Sequence, residues 1–323
     1  MQSLLRTSTA SLRPAILRQG LRGYASEAAP AKKNSALPMT LALGGLAGLG
    51  LYTYLSRTAP PLEPNVLKPD EFIQLPLKKI IPYNHNSSTF IFELPANTSS
   101  KLPVASCLVV KASDPEALKD KKGNPVIRPY TPLSGADNTG ELALLVKKYE
   151  TGTMSKYFHE LKVGDTVDFK GPIGKFPYKE NEFEEVALIG GGSGITPLYQ
   201  VMTHALSSNS NTTKFKLLFS NVTEEDILLR ENLDALAKKY PQNLEVVYLL
   251  DKPAPEWKGL TGFINADVIK KFVSPPTAKT MIMVCGPPGQ VAAIAGKKAG
   301  YQQGELGGVL KELGYSAEQV FKF

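Results

Sequence analysis

The sequence predicts two tandem units behind a basic and apolar leader: an antiparallel β unit at residues 70–180, then a parallel α/β unit at residues 184–323. Three observations predict it. Short alternating apolar runs separated by turn residues fill the first stretch. From about residue 185, buried-strand runs alternate with helix-length segments. A chain of 323 residues has room for about two domains.

Composition excludes several classes. Charged residues make up 21% and hydrophobic residues 42%, the balance of a folded chain. Net charge is +7, but residues 1–33 hold six basic residues against Glu27 alone. The rest is close to neutral, and no nucleic-acid partner is expected. Two cysteines, Cys107 and Cys285, are too few for a disulfide framework. The three histidines stand at no metal-ligand spacing, so no metal site is expected.

Residues 1–26 are rich in Arg, Ser, Leu and Ala and lack acids, the composition of a mitochondrial transit peptide. Residues 38–55 carry no charge, and Leu41, Leu43, Leu46, Leu49 and Leu51 alternate with small residues. This length is at the lower edge of a membrane span. Gly44 and Gly48 form a small-xxx-small pair, and Tyr52 and Tyr54 suit a membrane interface. One N-terminal membrane helix is therefore expected. Residues 56–69 contain Pro60, Pro61, Pro64 and Pro69 and read as a stiff spacer.

In the first unit, strands are expected at residues 72–75, 89–94, 107–110, 142–146 and 166–169, spaced as in a closed antiparallel barrel. One helix is expected at residues 155–161. It follows Gly152-Thr153-Met154, and a helix N-terminus reached through glycine is a seat for an anion.

In the second unit, strands are expected at residues 186–189, 215–219, 244–249 and 281–284, with a last one at 320–323. Helices are expected at residues 198–206 and from Thr223 to Tyr240, the second opened by a Thr223/Asp226 capping box. The turn Gly190-Gly191-Gly192-Ser193-Gly194-Ile195-Thr196-Pro197 is not G-x-G-x-x-G, because Ile195 stands at the third glycine's place. Its glycines still allow a backbone to approach a ligand closely. Cys285-Gly286-Pro287-Pro288 follows an apolar strand, which puts the thiol where open parallel sheets bind ligands. No activating base is evident, so Cys285 is not read as a nucleophile. Taken singly, each of these features also has a plain structural reading as a core residue, surface pair, cap or turn.

Taken in order, Arg128, Tyr130 and Thr131, then Val146-Lys147-Lys148-Tyr149, then Gly152-Thr153-Met154-Ser155 resemble the ferredoxin-reductase-type flavoproteins. The resemblance is strongest to the NADH–cytochrome b5 reductase family in its fungal mitochondrial form, over roughly residues 70–323. It implies an FAD-binding barrel followed by a Rossmann-like NADH-binding half. It further implies that Arg128 and Pro129 meet the flavin, Arg128 through the pyrophosphate. Tyr130 would cover the isoalloxazine ring and Thr131 would lie near its N5. Val146, Lys147 and Tyr149 would line the ribityl and phosphate side, with Gly152, Met154 and Ser155 at the pyrophosphate. On the NADH side, Gly190, Gly191, Gly192, Gly286 and Pro287 would approach the dinucleotide. Thr196 would contact the nicotinamide or the flavin edge, and Cys285 would shape the hydride-transfer pocket. Asp251 would take the adenosine ribose hydroxyls and disfavour a 2′-phosphate. Thr131, Thr196 and Cys285 form the expected catalytic set. One departure stands out: Pro103-Val104 is followed by Ala105, where the family often has glycine.

The reaction so implied passes hydride from NADH to FAD, then single electrons to cytochrome b5 or a similar acidic haem protein. Lys121, Lys122, Lys147, Lys148, Lys156 and Lys175 are candidates for steering that partner. Competing readings are a different acceptor, such as a quinone, and a non-catalytic nucleotide-binding membrane module. The expected setting is the mitochondrial outer membrane, with a processed intermembrane-space form and a monomeric soluble body.

Overall fold

The computed structural model describes residues 66–323, so the expected leader, anchor and most of the spacer lie outside the described residues. Among the described residues, no helix is long and apolar enough to cross a membrane.

Six strands build the first sheet: β1 (Ile73–Asn84), β2 (Ser87–Glu93), β3 (Ser106–Ala112), β4 (Arg128–Tyr130), β5 (Glu141–Lys147) and β6 (Thr166–Gly174). Their order is β4-β3-β6-β1-β2-β5, antiparallel throughout. Alternation sets the inward face: Leu75 and Leu77 of β1 are buried while Lys78 and Lys79 are exposed. β1 is far longer than the expected four residues. Its first part pairs with β6 and its second with β2, with one register shift at Leu77/Lys79 where the β2 pairing begins and another at Pro82/Asn84 near the hairpin. Phe90, Phe92 and Phe169 fill the interior, with Phe92 and Phe169 edge to face at 4.8 Å. Helix α1 (Thr153–Glu160) buries Met154 and Phe158 against them.

The expected closed barrel is not completed by a ladder. β4 and β5 end the sheet on either side, and the segment after β4 reaches β5 through a bond from Leu133 N to Ala143 O at 2.8 Å. Pro129 and Pro132 supply no N–H, so a continuous ladder cannot form there.

The second sheet is parallel and ordered β10-β9-β8-β7-β11-β12. Its strands are β7 (Glu185–Gly191), β8 (Lys214–Asn221), β9 (Leu244–Leu250), β10 (Leu260–Thr261), β11 (Thr280–Cys285) and β12 (Val320–Lys322). Every residue of the central β7 is buried, which is why its sequence after Glu185 is a continuous apolar run. Helices α2 (Ile195–Ser207), α3 (Arg230–Lys239), α4 (Ala266–Phe272), α5 (Pro288–Ala295) and α6 (Gly308–Glu312) accompany it. Leu188, Leu217 and Met283 share one core with α2 and α3; Ala187, Leu218 and Ile282 share another with α4, α5 and α6. Ala105, Leu133 and Leu145 of the first unit join the α2-side core, so the two units share packed apolar surface.

The capping box does not open the long helix. Thr223 and Asp226 close a single 3-10 turn at Glu224–Asp226. Leu229 then takes a left-handed conformation (φ 59°), and α3 begins at Arg230.

Candidate active site

The two units enclose a cleft of about 680 Å³ at the C-terminal ends of the parallel strands. The first unit contributes His85, Asn86, Lys147 and Tyr149; the second contributes Gly191, Gly192, Asn221, Asp226, Asp251, Pro287 and Gln290. Parallel pairing of β7 with β11 sets Cys285 opposite Gly190, which brings the glycine turn and the Cys-Gly-Pro turn side by side. They meet backbone to backbone. A Cβ on Gly194 would overlap the Cys285 carbonyl and stand 2.7 Å from Gly286 N. A Cβ on Gly191 would overlap the Gln290 carboxamide, whose Nε2 donates to Gly190 O at 3.1 Å.

Tyr149 ties the units together. Its backbone N–H donates to Ser155 Oγ (3.1 Å), and its hydroxyl lies 2.8 Å from Ser193 Oγ in the glycine turn. Beside it, Lys147 Nζ donates to Asp226 Oδ1 at 2.8 Å. Asp226 also accepts from Asn86 Nδ2 at 3.0 Å, Thr223 N at 3.1 Å and Thr223 Oγ1 at 2.9 Å. Burial pushes the Asp226 carboxyl up, but the bonds from Lys147, Asn86 and Thr223 outweigh it and bring the carboxyl down to about 2.

The structure divides the expected residues into two groups. Lys147, Tyr149, Gly191, Gly192, Asp251 and Pro287 line the cleft. Gly190, Gly286 and Cys285 lie directly behind it, and Thr196 is buried at the start of α2 with Oγ1 donating to Ser193 O at 3.3 Å. The second group clusters on the first unit. Arg128 and Pro129 are exposed on β4, and Arg128 Nη1 donates to Ile127 O at 2.8 Å. Tyr130 packs 5.1 Å from the Phe158 ring of α1, and burial raises its phenol well above the ordinary value. Thr131 and Val146 are buried; the Val146 carbonyl accepts from His159 Nε2 at 3.2 Å. Gly152 caps α1, Met154 turns into the core, and Ser155 Oγ donates back to Gly152 O at 3.1 Å. The Ser155 hydroxyl therefore serves the turn, and the outward backbone N–H groups are what this helix start offers an anion.

One expectation needs correction. Lys147 is expected among the docking lysines, but its ammonium is about nine-tenths buried in the Asp226 ion pair, facing the second unit. Lys175 is half-buried, with its ammonium 5.9 Å from the Tyr301 ring, whereas Lys121, Lys122 and Lys148 are exposed. Cys285 is half-buried, and burial pushes its thiol up to about 12 against a weaker opposing pull from Lys298. The thiol is neutral at physiological pH, consistent with a non-nucleophilic role. Asp251 follows β9 at the cleft rim; partial burial raises its carboxyl, opposed by Lys252.

Sequence reasoning missed Asn86, Asn221 and Gln290, and took Asp226 for a helix cap alone. Each sits in a polar turn or a short element whose cleft-facing side depends on strand order.

Two family models match the chain: an oxidoreductase FAD-binding domain over residues 74–178 and an oxidoreductase NAD-binding domain over residues 188–295. NADH-cytochrome b5 reductase 2 of Mycosarcoma maydis is 45% identical, with the alignment covering 98% of this chain and 96% of that protein. The protein of the same name from Phaeosphaeria nodorum is 41% identical, covering 97% and 98%. The chain belongs to the NADH–cytochrome b5 reductase family. Among solved structures, the cytochrome b5 reductase domain of Ulva prolifera nitrate reductase superposes on the reductase with a TM-score of 0.69 at 30% identity, covering 81% of this chain and all of that one. The CS-b5R domains of human Ncb5or, in their NAD+ form, give 0.63 at 26% identity, covering 78% and 69%. The antiparallel sheet of the reductase thus carries the FAD-binding match and its parallel sheet the NAD-binding match.

Proposed function

We infer that this chain is an FAD-dependent NADH–cytochrome b5 reductase, taking hydride from NADH onto FAD and passing electrons singly to cytochrome b5. The observation that carries the reading is a single cleft walled by both matched units, with Tyr149 bonded to each.

The residues fit both groups. The exposed Arg128 fork and the start of α1 offer donors to a pyrophosphate, and Tyr130 offers a ring backed by Phe158. At the cleft, the missing Cβ atoms of Gly191 and Gly194 let the glycine turn pack directly on Gln290 and on the Cys285 backbone, which sets the wall a dinucleotide would meet. FAD, when bound, accepts hydride and releases electrons one at a time. The protein's part is positioning. Tyr149 fixes the distance between the α1 turn and the glycine turn, and the shared apolar core around Leu133 and Leu145 keeps water from the seam. Thr131 and Thr196, both buried, are suited to orient the reacting rings by hydroxyl contact. Neutral Cys285 shapes the pocket wall, and Asp251 at the rim is placed for the adenosine ribose.

The leader's composition supports a mitochondrial outer-membrane anchor through residues 38–55, with a processed form in the intermembrane space. Exposed Lys121, Lys122 and Lys148 support steering of an acidic haem partner to a monomeric body. Full-length protein purified in detergent is expected to show flavin absorbance and NADH-dependent reduction of cytochrome b5, slowed by salt. A colourless protein that reconstitution with FAD leaves inactive refutes the assignment. Protease protection on fractionated mitochondria tests the location.

A further inference from the structure

Asn221 ends β8, the strand between β7 with its Gly190-Gly191 turn and β9 leading to Asp251. Its residue surface is 5% exposed, yet neither Oδ1 nor Nδ2 of the side chain has a hydrogen-bond partner. The backbone is satisfied, since the Asn221 carbonyl accepts from Asp251 N at 3.0 Å. Neighbouring polar groups on the same cleft are engaged: Lys147 with Asp226, Gln290 with Gly190 O, and Tyr149 with Ser193. A buried carboxamide left unmatched at both ends costs stability, and a folded chain keeps such a group where it has a use.

The cleft gives that use a chemical form. A dinucleotide laid across the strand ends, from Cys285 and Gly190 to Asp251, passes β8 near its middle. A phosphate oxygen at neutral pH accepts hydrogen bonds only and would leave Oδ1 unmatched. A ribose hydroxyl donates and accepts, as a carboxamide with both ends open requires.

We propose that Asn221 is a cofactor-binding residue whose carboxamide, which has no hydrogen-bond partner within the protein, receives a ribose hydroxyl of NADH. The proposal rests on the reading of the cleft as the NADH site. It predicts a trade: replacing Asn221 removes a stability cost and a ligand contact together.

The test uses the full-length oxidised flavoprotein with Asn221→Leu and, in case the larger apolar side chain prevents folding, Asn221→Ala. NAD+ and ADP-ribose are titrated calorimetrically, and thermal unfolding is followed without nucleotide. Both ligands should bind about tenfold more weakly, the loss expected for one buried hydrogen-bonding group. Tm without nucleotide should rise by about 2–4 °C in at least one variant, equivalent to roughly one recovered unsatisfied group in a chain of this size. Unchanged affinity, or weakened affinity with no gain in Tm in either variant, overturns the proposal. Weakening confined to NAD+ moves the contact to the nicotinamide and overturns the ribose assignment. A wild-type flavoprotein that keeps its flavin but binds neither ligand overturns the NADH reading of the cleft itself.

Discussion

The Lys147–Asp226 pair joins the two units through a buried charge, and its removal should be costly in a pH-dependent way. The two side chains are 10% and 6% exposed, so solvent screens them little. Asp226 sits at about 2 against an ordinary 3.8, which corresponds to roughly 2 kcal/mol of native-state stabilisation at neutral pH. Because the folded value is depressed, this stability is fully present above the ordinary carboxylate range and is lost as pH falls from about 4 toward 2. Asp226→Asn keeps the shape and removes the charge, so it should cost roughly 2 kcal/mol at pH 7. Asp226→Ala also strands the buried Lys147 ammonium and should cost about 3–5 kcal/mol. Urea unfolding of the wild type and both variants measures this, repeated at intervals from pH 6 to pH 2.5. The wild-type advantage over Asp226→Asn should shrink steadily below about pH 4. Combining Asp226→Asn with Lys147→Met should give non-additive costs, coupled by more than about 1 kcal/mol. A wild-type advantage independent of pH, or costs additive to within about 0.5 kcal/mol, would refute the reasoning.

Gly194→Ala should impair the enzyme more than Gly191→Ala, because the first Cβ meets the Cys285 backbone and the second meets a movable Gln290 side chain; unfolding should show about 1–3 kcal/mol lost for Gly194→Ala and less for Gly191→Ala. Cys285 should resist iodoacetamide in the native protein at pH 8, with labelling by mass spectrometry rising only as pH nears its raised value of about 12. Rapid labelling at pH 8 would show a thiolate that the site as described does not support. Asp251→Ala should raise NADPH use relative to NADH in steady-state kinetics, since the rim loses the carboxylate that repels a 2′-phosphate. An unchanged ratio removes Asp251 from that role.

Much of the strand framework was legible because its signal is local. The apolar runs of β7, β8, β9 and β11 are bounded by turns, and in the central β7 and β11 burial on both faces keeps them nearly uninterrupted. The second half of β1 was not legible. Lys78, Lys79 and Pro82 carry no strand pattern of their own, and only pairing with β2 draws this stretch into the strand. The same limit misplaced the start of α3, since a capping box looks alike before a single turn and before a long helix. Ala105 shows a mixed case. The sequence marks an alanine where glycine is usual, but only the fold shows a fully buried residue at φ 54°, its carbonyl accepting from Lys175 N and Phe176 N.

The sequence by itself determined the order of the two units, the family, and the motifs expected to meet two dinucleotides, because residue type and spacing along the chain encode them. Tertiary structure decided which of those motifs share a cleft, that Lys147 is spent on Asp226, and that Asn221 stands unpaired among engaged neighbours. The physical reason is that hydrogen-bond satisfaction and charge pairing are properties of neighbours in space. Lys147 and Asp226 lie 79 residues apart in the chain, and no local pattern can announce their 2.8 Å contact.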